Sequence, residues 1–294
     1  MSEEYTSHSE YLPLDKVFVM PAREAFRNEK KALAEWRSLN FTSVPKIQKA
    51  FDEYEGFHKT LTDSGAELLY FTGEESLTLD AIYCRDASII TDQGVILCRM
   101  GKVLRQGEPA SQQRSYESLN IPILGQIEPP GTLEGGDVAW LDRHTLAVGH
   151  SYRTNPSGIE QLTGLLRPMG VEVIVVQLPH FRGPSDVFHL MSVLSPIDRD
   201  LAAVYSPLIP IAFRNTLLER GYQLVEVPEA EFDSLGCNIL ATGPRRCVMA
   251  KGNPVTEQLL LKAGCQVSTY EGNEISVKGG GGPTCLTRPL RRKI

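Results

Sequence analysis

No apolar run in this 294-residue chain approaches the roughly 18–20 residues that a membrane-spanning helix needs. The polar stretch Met1 to Glu10 lacks the apolar core of a secretory signal, so the cytoplasm is the expected location. Positive charge is also scarce. Lys and Arg number 30 against 36 Asp and Glu, a formal net charge of −6, which leaves no electrostatic footprint for nucleic acid or an anionic membrane surface. The basic end Arg288, Arg291, Arg292, Lys293 reads as a solvated tail. The six cysteines (84, 98, 237, 247, 265 and 285) form no CxxC pair, which argues against a disulfide framework and against a zinc site. The glycine run near the C-terminus lacks the GxxxxGK[ST] spacing of a phosphate-binding loop. Neither cofactor nor metal is expected.

What the chain does contain is an ordinary soluble composition, 41% hydrophobic and 22% charged, long enough for one large domain or two. Val17 to Met20 reads as a buried strand, and Arg23 to Leu39, rich in Lys, Glu and Ala, as a lid or an exposed helix. Val44 to Ser64 carries Ile47, Phe51, Tyr54, Phe57 and Leu61 at helical spacing, with Gly65 closing the helix and Glu67 to Phe71 forming a strand.

From there a pattern recurs. Strands at Ala81–Tyr83, Ser88–Thr91 and Gly94–Cys98 precede a helix at Ser111–Leu119 and a strand near Ile121. Val138–Leu141 and Thr145–Val148 precede Gly158–Leu166 and Val171–Gln177. Phe188–Leu194 and Leu201–Tyr205 precede Ile211–Glu219 and Tyr222–Val227. Cys237–Ala241 and Cys247–Ala250 precede Val255–Lys262 and Gln266–Tyr270. Each unit is strand, strand, helix, strand, and a period of roughly fifty residues marks a repeat array or propeller. The unit at Ile275–Leu290 has strands but no helix after it, and the N-terminus supplies the missing helix and strand if the C-terminal strands pair with Val17 to Met20. The expected fold is therefore a single α/β domain over residues 1–294, five ββαβ modules in a ring, with residues 1–12 as a tail. An open α/β sheet is the competing architecture.

Asp86, Asp137, His189, Asn238 and Cys285 recur at about one period, at or near the first strand of successive modules, and equivalent positions of a ring converge on its axis. Cys285 follows Gly279 to Gly282, a run free to take positive φ and pass close to a ligand. It is a candidate nucleophile or a buried, inert thiol. Carboxylates of Asp86, Glu134 and Asp137, with one Cys and one His, suit a planar cation. A guanidinium offers a fork of N–H donors to two acids, a thiolate could attack its carbon, and His189 could protonate the leaving amine and then activate water. Taken singly, Glu134 to Asp137 could be only a turn, and His189, in the apolar run Val187 to Met191, a core histidine.

Several motifs, in order from about residue 13 to the end, resemble the guanidino-group-modifying enzymes of the pentein superfamily. Gly280 to Cys285 with Arg288, Pro289 and Leu290 is similar to the end of arginine deiminases. Glu134 to Asp137, Arg153 to Asn155, and His189 with Leu190 resemble both deiminases and dimethylarginine dimethylaminohydrolases, as do Asp80 to Tyr83 with Arg85 and Asp86. The resemblance implies a five-module α/β propeller and a cofactor-free covalent cysteine mechanism. It makes Cys285 the nucleophile and His189 the acid and base, and gives Glu134 and Asp86 the guanidinium. Asp137 would steady the histidine or substrate, Arg105 and Arg153 would hold the α-carboxylate, and Asp80 and Tyr83 would line the amino-acid end.

Met191 stands where deiminases carry an acid, and there is no room for their extra helical domain, so the expected substrate is Nω-methylated arginine. Arg85 and the Gly-rich ending look more deiminase-like, so deimination of arginine is the alternative, with amidino transfer third. A non-enzymatic binding protein, like the translation factor that shares this propeller, would not need Cys, His and acids together. The partner expected is a small guanidino compound, with homo-oligomers open.

Overall fold

The computed structural model describes residues 4–294. The chain starts with β1 (Tyr5–Thr6), β2 (Leu14–Val19), the short helices α1 (Ala22–Phe26) and α2 (Glu29–Glu35), α3 (Ile47–Asp63) and β3 (Glu67–Tyr70). The first full module is β4 (Ser88–Thr91), β5 (Gly94–Leu97), α4 (Glu108–Ser118) and β6 (Ile123–Gln126); the second is β7 (Val138–Asp142), β8 (Thr145–His150), α5 (Pro156–Leu166) and β9 (Glu172–Gln177). The third comprises β10 (Leu194–Asp198), β11 (Leu201–Val204), α6 (Ile211–Glu219) and β12 (Gln223–Glu226); the fourth β13 (Leu240–Gly243), β14 (Arg246–Ala250), α7 (Pro254–Lys262) and β15 (Gln266–Tyr270); β16 (Thr287–Lys293) ends the chain.

Every module has the same topology. Its first two strands pair antiparallel, and the helix then carries the chain to a third strand parallel to the second, as in β4-β5-β6 and β7-β8-β9. A parallel neighbour requires such a crossover. The fifth sheet, β1-β16-β2-β3, is assembled from both ends of the chain: Thr287 lies opposite Val19 and Arg292 opposite Leu14, while β3 runs parallel to β2. The closure expected from the incomplete last repeat is thus the one observed. First strands pack on one another between modules (β7 on β10, β10 on β13, β16 on β4). The result is five small sheets around a hub, the pentein α/β propeller, and not one continuous barrel.

Local sequence explains the elements. Helix α3 buries Ile47, Ala50, Phe51, Tyr54, Phe57 and Leu61, a stripe at spacings of three and four, and Gly65 closes it with φ +87°. Helix α5 starts where Asn155 Oδ1 accepts from Gly158 N at 2.9 Å, ahead of Pro156 in the first turn. Strands β4, β5 and β11 are wholly buried, whereas third strands such as β3 and β6 are half exposed at the rim. No helix among the described residues is long and apolar enough to cross a membrane.

Several sequence expectations are corrected. Ala81–Tyr83 falls in a 3-10 turn over Leu79–Ile82, Phe188–Leu194 is mostly turn with Leu190–Ser192 in 3-10 form, and Ile275–Val277 belongs to a π-helical turn; none is a strand. These stretches are apolar because they are buried against the hub, so composition alone could not separate turn from strand. Arg23 to Leu39 holds most of α1 and all of α2; α2 is the mostly exposed helix expected, burying only Ala32, while α1 buries Ala25 and Phe26, and Leu39 is buried beyond both. Arg288 and Arg292 are not a solvated tail: both are buried, in β16, with Arg85 and Glu10. Among residues 4–12, β1 pairs with β16 and Glu10 Oε1 accepts from Arg85 Nη2 at 2.6 Å.

Candidate active site

The turns that precede the first strands deliver the polar residues to the hub. At Gly279, Gly281 and Gly282 the chain passes so close to its neighbours that side chains are excluded. A Cβ on Gly279 would lie 1.9 Å from Tyr83 Oη, one on Gly281 2.4 Å from the Tyr83 ring, and one on Gly282 2.5 Å from Asn238 Oδ1. Gly280 takes φ +76°. Cys285 follows, buried, with its carbonyl accepting from Arg85 N at 3.2 Å. The other five cysteines are buried in the cores, Cys84 with its thiol pushed up to about 12 by burial.

One buried cavity is lined by Cys285, His189, Glu134, Asp86, Asp80, Tyr83, Arg105 and Arg153. All the residues expected from the sequence are there except Asp137. Free space within it is about 10 Å³, room for about one water. A groove of about 270 Å³ lies alongside and shares the walls Val187, Gly279 and Gly280.

His189 Nε2 is 2.7 Å from Glu134 Oε2, and its Nδ1 faces Asp86 Oδ1 at 4.0 Å. Gly136 permits this approach, since a Cβ there would meet His189 Nδ1 at 2.5 Å. Burial alone would lower the imidazole pKa, but Asp86, Asp137 and Glu134 outweigh it and raise it to about 9. Glu134 moves the other way: burial would raise it, yet the hydrogen bond and charge of His189, with Arg153 and Arg105, hold it down at about 2. Its second oxygen accepts from Lys102 N at 2.9 Å. The histidine is therefore a cation at neutral pH, ready to give up a proton.

Asp137 holds the frame of the site. Its Oδ1 accepts from Leu190 N at 3.0 Å and its Oδ2 from Ser151 Oγ at 2.6 Å, so it orients the turn that carries His189 without touching the ring. Burial, the dominant influence, pushes its carboxyl up to about 6. Asp86 Oδ2 accepts from Arg105 Nη1 at 2.6 Å, while its buried Oδ1 has no hydrogen-bond partner among the described residues. The donors of Arg105 go to Asp86, Glu108 and the Tyr83 carbonyl. That differs from the expectation that Arg105 holds a substrate carboxylate. Arg153 is less committed: Nη2 reaches the Asp186 carbonyl at 3.1 Å and Nη1 stands 3.7 Å from Glu134. Met191 packs in the apolar core with Leu190 and Val193 and does not line the cavity.

Two cavity neighbours were not among the expected site residues. Lys102 Nζ bridges Asp80 Oδ2 at 2.6 Å and the Leu39 carbonyl at 2.8 Å, tying the segment after α2 to the cavity rim. Asn238 Nδ2 donates to Cys285 Sγ at 3.4 Å. The lysine carries no local signal in the sequence, whereas Asn238 lies on the fifty-residue period. Burial is the main influence raising the Cys285 thiol pKa, with Asp86 adding to it; hydrogen bonds from Asn238 and Thr284 act against them. Asp86, Glu134 and His189 place three potential metal-ligand atoms within 4.8 Å of one another, but Glu134 and the protonated ring are already arranged as an acid–base pair. A thiol, a protonated imidazole and an unpaired carboxylate oxygen thus lie around one small cavity.

The chain resembles a curated N(G),N(G)-dimethylarginine dimethylaminohydrolase of Streptomyces coelicolor, 27% identical over 82% of this chain and 86% of that protein. An arginine deiminase of Listeria welshimeri is also 27% identical, over 72% of this chain and 61% of that one. In fold it matches the Pseudomonas aeruginosa dimethylarginine dimethylaminohydrolase solved with citrulline, with TM-score 0.75 and 21% identity over 96% of this chain and all of that one. Residues 23–292 match the family model described as N,N dimethylarginine dimethylhydrolase, eukaryotic. The chain belongs to that family, as a hydrolase acting on guanidino C–N bonds.

Proposed function

We propose that the protein hydrolyses Nω-methylated arginine to citrulline and a methylamine, through a covalent adduct on Cys285. The observation that carries this reading is the buried, unpartnered Asp86 Oδ1 on the same cavity as Cys285 and a protonated His189. A buried carboxylate oxygen without a partner is costly, and a guanidinium N–H supplies one. The arriving cation also reverses the local field that Asp86 imposes on the thiol, which favours the thiolate.

In the first half-reaction, Cys285 Sγ bonds to the guanidinium carbon and the resulting tetrahedral centre expels the methylated nitrogen. His189 gives that nitrogen its proton, so it leaves as a neutral amine and an S-alkylthiouronium remains. In the second, His189 takes a proton from water, the hydroxide adds to the same carbon, and the C–S bond breaks to return the thiolate; the hydroxyl proton of the product passes to the departed amine or to solvent, leaving the ureido group of citrulline. Glu134 keeps the imidazolium oriented through both halves. Arg153 is the arginine with donors to spare for the α-carboxylate, and Asp80 faces the amino-acid end if Lys102 yields. The whole described chain serves this one site as a single domain, the segment after α2 closing over it.

Methylated arginine is favoured by the family match; Met191, the sequence ground for it, packs in the apolar core away from the cavity and adds no contact to the substrate. Deimination of free arginine is the second reading, supported by the deiminase relative and the Gly280 to Leu290 ending. Purified protein incubated with dimethylarginine, monomethylarginine and arginine, and assayed for citrulline, methylamines and ammonia, decides. Ammonia release from arginine outpacing methylamine release would replace the first reading with the second.

A further inference from the structure

Asn238 occupies the turn before β13, in the module next to that of Cys285, and it is buried. Its side-chain carbonyl accepts twice from one residue: Thr284 N at 3.0 Å and Thr284 Oγ1 at 2.8 Å. An amide nitrogen cannot accept a backbone N–H, so this pair dictates which way the amide faces. The NH2 group is then left directed at Cys285 Sγ, 3.4 Å away. Gly282 packs against the same amide, at a distance that would put a Cβ 2.5 Å from Oδ1, so the group cannot swing aside. A donor held rigidly against sulfur discriminates between its two states. A thiolate is a full anionic acceptor and a thiol a weak one.

We propose that Asn238 is a catalytic residue, its amide N–H stabilising the Cys285 sulfur anion before attack and again as the C–S bond breaks. The inference rests on the reading of Cys285 as nucleophile but not on the identity of the substrate. It gives the site a neutral counterweight to the Asp86 carboxylate and to burial, both of which disfavour the thiolate. A purely structural role, bracing the Thr284 turn, is the competing account, and the two differ in what they do to the thiol.

The test is the pH dependence of Cys285 alkylation by iodoacetamide in the full-length protein, followed by mass spectrometry of the Cys285 peptide. Two variants are used. Asn238→Leu removes the donor and the acceptor at similar volume, and Asn238→Asp keeps an acceptor for both Thr284 donors while losing the N–H. In each, the alkylation midpoint is expected to move up by about one pH unit or more, which is a tenfold loss of thiolate at a given pH. Where a guanidino substrate turns over, kcat falls about tenfold and KM by less than twofold. Should Asn238→Leu fail to fold, Asn238→Asp carries the test with Thr284→Val, for which a smaller shift in the same direction is expected. An unmoved midpoint in folded Asn238→Leu, or in Asn238→Asp and Thr284→Val together, overturns the proposal. Alkylation needs no substrate, so a shifted midpoint without turnover of any methylarginine would sink the substrate reading and leave this one standing.

Discussion

Glu134 Oε2 and His189 Nε2 sit 2.7 Å apart although 55 residues of chain separate them, and the backbone N–H of Lys102 holds the other carboxylate oxygen at 2.9 Å. The carboxylate orients the imidazolium and, with Asp86 and Asp137, keeps it charged. Glu134→Gln removes the charge and keeps the shape. The imidazole pKa, raised to about 9 chiefly by the surrounding acids against burial, then drops, and the alkaline limb of the kcat–pH profile moves to lower pH by on the order of one unit. The kcat at neutral pH falls roughly 10²–10⁴-fold, the worth of a positioned acid–base group. A limb that stays in place would show that His189 does not set it.

The same pair links stability to pH. A histidine whose folded pKa lies above its ordinary value of 6.5 stabilises fully below 6.5, and that contribution is lost as pH rises through about 9. The melting temperature of wild type should therefore exceed that of Glu134→Gln at pH 6, with the gap narrowing as pH passes 9. A gap constant across that range would mean that the ion pair contributes nothing.

The covalent step is tested by trapping. Cys285→Ser is expected to remove turnover while leaving the thermal midpoint nearly unchanged, since the substitution alters one atom in a preformed turn. His189→Ala loses both the proton donor to the leaving amine and the activator of water, so methylarginine is not turned over; with a substrate analogue whose leaving group needs no protonation, a Cys285 adduct accumulates and intact-mass spectrometry shows the added mass of the analogue less its leaving group. An active serine variant would remove the nucleophile from the mechanism.

Much of this architecture is legible in the sequence, and what is not has physical causes. The ββαβ period is visible because each module must bury its own strands and helix, so apolar runs recur. The closure of the ring follows from the missing helix after Ile275. The turns at Leu79–Ile82 and Leu190–Ser192 are misread as strands because burial at the hub makes them as apolar as strands. Arg288 and Arg292 look like a solvated tail because nothing local announces Glu10, nearly three hundred residues away in sequence. Lys102 is hidden for a similar reason: its partners Asp80 and the Leu39 carbonyl come from other parts of the chain.

Lys102, half-buried, pairs with the buried Asp80, and breaking the pair is expensive because a charge is stranded at a largely desolvated site. Either Lys102→Met or Asp80→Asn is expected to cost about 3–5 kcal/mol by urea denaturation. The double variant should cost less than the sum, with a coupling of roughly 0.5–3 kcal/mol. Strict additivity would show that the two side chains do not interact in solution.

Close packing on the glycine run makes a steric prediction. Gly281→Ala brings a methyl group against the Tyr83 ring and is expected to cost about 1–3 kcal/mol through overpacking. Truncating the ring in Gly281→Ala/Tyr83→Ala should recover part of that loss relative to Tyr83→Ala alone. If the alanine costs as much without the ring as with it, the contact is not what demands glycine there.

The last prediction concerns Glu10. It bonds Arg85, which is 0% exposed, and lies within the field of Arg288 and Arg292. These arginines reach the carbonyls of Ser88 and Ala241, and the Trp140 N–H approaches Glu10 at 3.5 Å, so the cluster joins strands from four sheets at the hub. Three buried guanidinium groups share this carboxylate. Burial pushes Arg288 and Arg292 down to about 10, and both still carry charge at neutral pH. Glu10→Gln keeps a hydrogen-bond acceptor but leaves the cations uncompensated, and is expected to destabilise by about 3–5 kcal/mol at pH 7. The sign of its pH dependence follows from the carboxyl pKa: burial would raise it, but the charges of Arg85, Arg292 and Arg288 prevail and lower it below 4.5. A depressed carboxyl stabilises above its unfolded value and loses that contribution as pH falls through its folded one. Wild type and Glu10→Gln should therefore differ most above pH 4.5 and converge in acid. Equal urea midpoints at pH 7 would mean that the arginines are balanced by something other than Glu10.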